Sequence, residues 1–363
     1  MNIKSLLRPH IRQLATYEPV LPFEVRSQQL GLPPEQILKL DANENPYGPL
    51  PEVLDALARL PYPHIYPDPE SRDLRAALAA YHNVPPENIL AGAGADELID
   101  LIMRIILDPG DCLLNCPPTF GMYAFDGRVN NARVVNIPRQ TDFSLDLKAL
   151  EEAVTRYQPK LLFLASPNNP DGSLLPPSVL DRLLQWPLIL VLDEAYVDFA
   201  PRGTSRLREV LQRDNLIVLR TFSKWAGLAG LRVGYGVFPG WLIPHLWKIK
   251  QPYNVSVAAS TAAIVSLQHA EELKARAQRI IAERERLSTA LQAIPWLQPY
   301  PSWANFILCR VSGKDAAEFQ AALARKGILI RYFNKPGLRD HIRISVSRPE
   351  KMQRLLEVLQ TWR

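Results

Sequence analysis

Short apolar runs that stop abruptly at a polar turn constrain this chain more than any other feature. KLLFLAS (160–166), LILVLDEAY (188–196) and NLIVLRTF (215–222) are the clearest, preceded by ENILAG (87–92) and DCLLN (111–115). Such runs are too short for helices buried all round. They are too continuously apolar for strands with one wet face. Strands buried on both faces fit them, which predicts a mostly parallel sheet covered by helices. The intervening segments agree. In ADELIDLIMRIIL (95–107), Leu98, Leu101, Ile102, Ile105 and Ile106 fall on one helical face.

This alternation predicts an α/β chain with a large domain over 41–250 and a smaller α+β domain over 251–363. The smaller domain contains a long charged helix near 270–291, then the strand-like ANFILCR, ILIRYF and IRISV. A last helix follows Ser347-Arg348-Pro349-Glu350, which has capping-box spacing. Residues 1–40 show little periodicity and read as an arm that completes the small domain and contacts a partner subunit.

Charge and cysteine usage exclude several function classes. The net charge of +5 is spread among acids without a dense basic block, which argues against nucleic acid. No apolar run is long enough to cross a bilayer, so no membrane partner is expected. Cys112, Cys116 and Cys309 have neither CxxC nor zinc spacing, and six histidines form no HExxH pattern. No metal is expected. Buried free thiols in a reducing compartment are.

In parallel α/β sheets, ligands sit beyond the strands' C-terminal ends, so the turns there matter most. Ala91-Gly92-Ala93-Gly94-Ala95-Asp96 opens a helix and is either a plain tight turn or a cradle for an anion. Phe120, in PPTFGMY, either packs in the core or covers a flat ring. Asn168 and Asn169 are turn residues that could also donate to an oxygen. Asp193 follows five apolar residues, so it either caps a helix or enters a poorly solvated site needing a cation. TFSKWAGLAGLR (221–232) combines two hydroxyls, Lys224 among apolar neighbours, and Arg232. It is either a solvated turn or a phosphate site with a nucleophilic lysine.

These turns together resemble the fold-type I aminotransferases that use pyridoxal 5′-phosphate (PLP), and within them the histidinol-phosphate aminotransferase branch. IRQLATYEP, KLDANENPYGP, YPDPE, GAGADELIDLIMRIILDPGD, PPTFGMY, SPNNPDG, LDEAYVDF, RTFSKWAGLAGLRVGYG, ANFILCR and IRISV carry the resemblance, from about residue 11 to 346. It implies a large PLP-binding domain with a mostly parallel sheet. It also implies ping-pong transfer between histidinol phosphate and 2-oxoglutarate, giving imidazole-acetol phosphate and glutamate in histidine biosynthesis. Aromatic amino-acid aminotransferases and threonine-phosphate decarboxylases are rivals on the same fold.

The resemblance also implies roles. Lys224 would carry PLP as an imine and shuttle the substrate proton. Asp193 would pair with the pyridine nitrogen, and Tyr196 and Asn169 would bond the phenolic oxygen. Phe120 would stack on the ring. Ala95, Asp96, Thr221, Ser223 and Arg232 would bind the cofactor phosphate, joined by Tyr66 from the partner of a homodimer. Tyr17, across the same interface, would meet substrate with Asn43, Asn169, Arg331 and Arg343. Here Phe120 replaces a frequent tyrosine, Asp171 a commoner threonine and Trp303 a frequent aspartate. With the motif starting at Ile11, no cleaved leader is expected, and the cytoplasm is the expected compartment.

Overall fold

The computed structural model describes residues 2–17 and 19–362. Twelve strands form two sheets among the described residues. In chain order they are β1 (Leu38–Leu40), β2 (Ile89–Gly92), β3 (Cys112–Asn115), β4 (Arg133–Asn136), β5 (Leu161–Ala165) and β6 (Ile189–Asp193). Then come β7 (Leu216–Thr221), β8 (Gly234–Val237), β9 (Leu297–Pro299), β10 (Phe306–Val311), β11 (Ile328–Tyr332) and β12 (His341–Ser345).

The larger sheet has the order β2-β8-β7-β6-β5-β3-β4. The ladders from β4 to β7 are parallel, while β8 runs antiparallel to both β7 and β2. Its central strands alternate between two hydrophobic clusters. Leu162, Leu164, Leu190, Leu192, Leu216 and Val218 face one. Leu161, Phe163, Val191, Ile217 and Leu219 face the other. Both faces are therefore buried, as the unbroken apolar runs require. Each such side chain contributes about 1.5–3 kcal/mol of burial.

Register brings the site together. Ala165 pairs with Asp193, and Asp193 pairs with Leu219, so the turns after β5, β6 and β7 leave one edge of the sheet side by side. The smaller sheet has the order β1-β11-β12-β10-β9. Parallel pairing of β1 with β11 delivers residues 41–45 to the same place.

Some local features go beyond or differ from the sequence reading. β4 is a half-buried edge strand. β8 was not expected, because Gly234 and Gly236 depress its strand propensity. The arm contains two helices, Pro9–Gln13 and Phe23–Leu30, with no buried residues in either. In helix Ala95–Ile106 the buried face runs through Leu98, Ile99, Leu101, Ile102 and Met103, with Ile105 and Ile106 only partly covered. The last helix, Pro349–Gln360, is capped by Arg348 without a side-chain bond, so the capping box at Ser347 does not form. Proline at the first helical position has no N–H to satisfy there. All three cysteines are free and buried. No described helix is long and apolar enough to cross a membrane.

Candidate active site

Lys224 lies in the turn after β7, and its Nζ donates to the carbonyl of Ala42 at 3.2 Å. Burial, reinforced by the Arg343 charge, pushes its ammonium down to about 8. The turn can pass this close to residues 41–49 because Gly227 sits at φ 72. A Cβ there would stand 2.5 Å from the backbone of Gly48. Asn45 seals the approach, donating to the Trp225 carbonyl at 2.8 Å.

Asp193, at the end of β6, is 5% exposed. It accepts from the Tyr123 hydroxyl at 2.7 Å and from the Ala195 amide at 2.9 Å. Burial outweighs both bonds and raises its carboxyl to about 6. No cation forms an ion pair with it among the described residues, so the carboxylate would gain from one.

Tyr196 is buried, and its hydroxyl accepts from Asn43 Nδ2 at 3.0 Å. Burial raises its pKa, against the pull of Arg343 and Asn43. Asn43 is itself locked at φ 56. Ser345 Oγ accepts from its amide and donates to its Oδ1, each at 2.9 Å, and Asn305 donates to its carbonyl at 2.9 Å. The smaller sheet thus holds the segment that orients Tyr196.

Arg343, on β12, is buried and donates to Asn169 Oδ1 at 2.5 Å and to the Asp41 carbonyl at 2.7 Å. Its Nε has no partner among the described residues. Burial, with Arg331 adding to it, lowers its pKa to about 10, so it remains charged at neutral pH. Arg331 on β11 stands directly opposite Arg343.

Helix Ala95–Ile106 starts with no side-chain cap, leaving the amides of its first turn, Ala95 and Asp96 included, open to an anion. Gly94, its N-cap, has φ 82, and a Cβ there would meet the guanidinium of Arg232 at 2.5 Å. Arg232 also pairs with Asp96 at 2.7 Å, a half-exposed contact worth at most about 1 kcal/mol. Thr221 donates to Ser223 between their hydroxyls at 2.9 Å. Phe120 is half-buried, edge-on to Tyr123 at 5.5 Å between ring centroids.

Two expected residues sit differently. Tyr66 is 79% exposed and stacks on Tyr253 at 4.7 Å. Tyr17 lies against the turn after β3 of its own chain, its Cε2 3.7 Å from the point a Cβ on Gly121 would occupy. Its ring packs edge-on against this chain's own Phe125 at 5.8 Å.

Sequence reading missed Tyr123, Asn305 and Ser345 as contributors, and left Asp171 without a role. Asp171 is 1% exposed. It accepts from Asn168 Nδ2 and, at 3.0 Å, from the Ser173 amide. Asn168 in turn donates to the Pro118 carbonyl at 3.1 Å and accepts from Thr119 at 2.9 Å. Asp171 therefore braces the loop that presents Asn169. Elsewhere Glu52, His269 and Glu272 bring three possible metal-ligand atoms within 4.8 Å of one another, but Glu272 already holds Arg276 at 3.0 Å.

The sequence matches the family described as aminotransferase class I and II over residues 35–359. It is 54% identical to the chloroplastic histidinol-phosphate aminotransferase of Nicotiana plumbaginifolia, across 98% of this chain and 86% of that protein. It is 55% identical to the histidinol-phosphate aminotransferase of Roseiflexus castenholzii, across 99% and 98%. In structure it resembles the histidinol-phosphate aminotransferase of Sinorhizobium meliloti, solved in complex with pyridoxal 5′-phosphate. That match has a TM-score of 0.89 at 32% identity, covering 98% of this chain and 96% of the other. The chain belongs to the class I and II aminotransferase family.

Proposed function

We propose that the chain moves an amino group between histidinol phosphate and 2-oxoglutarate, giving imidazole-acetol phosphate and glutamate, with PLP as cofactor. One observation carries the substrate class: two guanidinium groups, Arg331 and Arg343, opposite each other on neighbouring strands. A carboxylate needs one such partner. A phosphate monoester, with a charge of about −1.5 to −2 near pH 7, uses two.

The residues fit the cofactor. The uncapped helix start at Gly94–Asp96, with Arg232 over it, suits a phosphate. Asp193 is a buried carboxylate raised to about 6, which a protonated ring nitrogen would draw back toward the ordinary carboxylate range. Lys224, Tyr196, Asn169 and Phe120 would complete the cofactor site, and Thr221 and Ser223 would bond its phosphate. When bound, PLP supplies the electron sink that makes the substrate Cα–H acidic.

The chain's own contribution is placement and proton handling. Lys224 Nζ, lowered to about 8, carries an appreciable neutral fraction near neutral pH. It can therefore take the proton from the substrate Cα and later return it. Tyr196, fixed by Asn43, keeps a hydroxyl donor near that amine, whose Nζ lies 5.9 Å from the Tyr196 ring centroid. Arg343 and Arg331 anchor the far end of the substrate, so that its Cα meets Lys224.

The division at 41–250 and 251–363, with residues 1–40 as an arm, belongs to this proposal. So does a homodimer in which exposed Tyr66 serves the partner's cofactor phosphate. A cytoplasmic setting suits three thiols that form no disulfide. The test is spectroscopic: add histidinol phosphate, phenylalanine and threonine phosphate one at a time to the PLP-loaded protein. Only histidinol phosphate should bleach the cofactor's visible band fully at low concentration, and 2-oxoglutarate should restore it. Equal or better conversion by phenylalanine overturns the assignment, as does release of carbon dioxide from threonine phosphate.

A further inference from the structure

We infer that Lys335 is a specificity-determining residue, supplying a third cation to the phosphate end of the substrate. This rests on the histidinol-phosphate reading above. Lys335 lies in the loop between β11 and β12, two residues beyond Phe333. Its Nζ reaches across to Gly121, standing 3.7 Å from the point a Cβ on that glycine would occupy. Cε2 of Tyr17 stands at the same distance from that point. The ammonium and the Tyr17 ring thus converge over one spot in the turn that follows β3.

That spot is a poor resting place for a cation alone. Gly121 is the N-cap of helix Met122–Val129, and no side chain caps it, so the positive end of the helix faces Lys335. Among the described residues, Lys335 Nζ has no carboxylate partner and no hydrogen-bond acceptor. Its backbone is nevertheless fixed. Its amide donates to the Phe333 carbonyl at 2.8 Å, and its carbonyl accepts from Leu338 at 3.0 Å, with Leu338 buried at 2% exposure. Arg331 and Arg343 flank the same Phe333 ring at 5.6 and 5.5 Å.

The loop and strands around Phe333 thus carry three cations beside a helix start, while Asp41, the acid whose charge acts on Arg343, is already paired with Lys39 at 3.2 Å. A dianionic phosphate satisfies this set better than a carboxylate, which carries one charge. Because Lys335 is exposed, its share is screened and should scale with the charge of the ligand and fall with salt.

The test compares Lys335→Gln and Lys335→Arg with wild type in the PLP-loaded enzyme. Lys335→Gln should raise KM for histidinol phosphate by about 3- to 10-fold at low salt, with kcat kept. It should weaken inhibition by inorganic phosphate to the same degree and change KM for glutamate less. Added salt should shrink the difference, and Lys335→Arg should restore wild-type values. An unchanged KM and unchanged phosphate inhibition in Lys335→Gln would overturn the inference, as would equal losses for histidinol phosphate and glutamate. If wild type itself does not prefer histidinol phosphate, the underlying reading fails instead, a result visible before any variant is compared.

Discussion

Arg331 and Arg343 stand opposite each other across the β11–β12 ladder, with both guanidinium groups over Phe333. Like charges in that position destabilise a sheet, and the ring face offsets only part of the repulsion. An anion between the two guanidinium groups would relieve that repulsion.

Two opposite effects should follow from Arg331→Gln. KM for histidinol phosphate should rise about 10- to 100-fold, since one charge-assisted bond is worth about 1.5–3 kcal/mol. The thermal midpoint of the substrate-free protein should hold or rise. Arg343→Gln should instead impair every amino donor, because Arg343 also positions Asn169 and the Asp41 carbonyl. A fall in stability with unchanged KM in Arg331→Gln would show an ordinary structural arginine.

The lowered pKa of Lys224 makes a pH prediction on the cofactor-free protein. Only the neutral amine can react with PLP, and the neutral form grows as pH rises through about 8. The rate at which visible absorbance appears on adding PLP should climb through that pH and then level off. Arg343 is the largest charge acting against the ammonium, so Arg343→Gln should move the rise to higher pH. A rate that is flat from about pH 6 to 9 would mean that Lys224 is not the reacting amine, and one that climbs through this range without levelling would mean that it is not perturbed. Lys224→Ala should lose roughly 100- to 10,000-fold in turnover.

Much of this site was legible because its signals are local. An apolar run followed by Asp193, Asn169 or Lys224 marks a buried strand and its C-terminal turn within a few residues. What escaped depends on partners far away in sequence. Tyr123 meets Asp193 across 70 residues, and Ser345 meets Asn43 across 302. No spacing rule joins such pairs before the fold does. β8 escaped because glycine suppresses the strand signal, although β7 and β2 both pair with it. The contact proposed for Tyr66 is one that a single chain does not display, since its ring lies exposed against Tyr253.

Asp171 offers the remaining test, because its position joins stability to the site. Replacing it with Ala leaves one hydrogen of the buried Asn168 amide and the Ser173 amide without an acceptor. An unsatisfied buried donor costs about 1–3 kcal/mol, so the urea midpoint of Asp171→Ala should fall accordingly. Asp171→Thr, with a hydroxyl that can accept one of the two bonds, should recover part of the loss. The loop from Ser166 to Gly172 also sets Asn169, which receives a bond from Arg343. Asp171→Ala should therefore raise KM for histidinol phosphate as well, and Asp171→Thr should recover KM and stability together. If stability falls while KM stays at the wild-type value, Asp171 braces the loop without positioning Asn169.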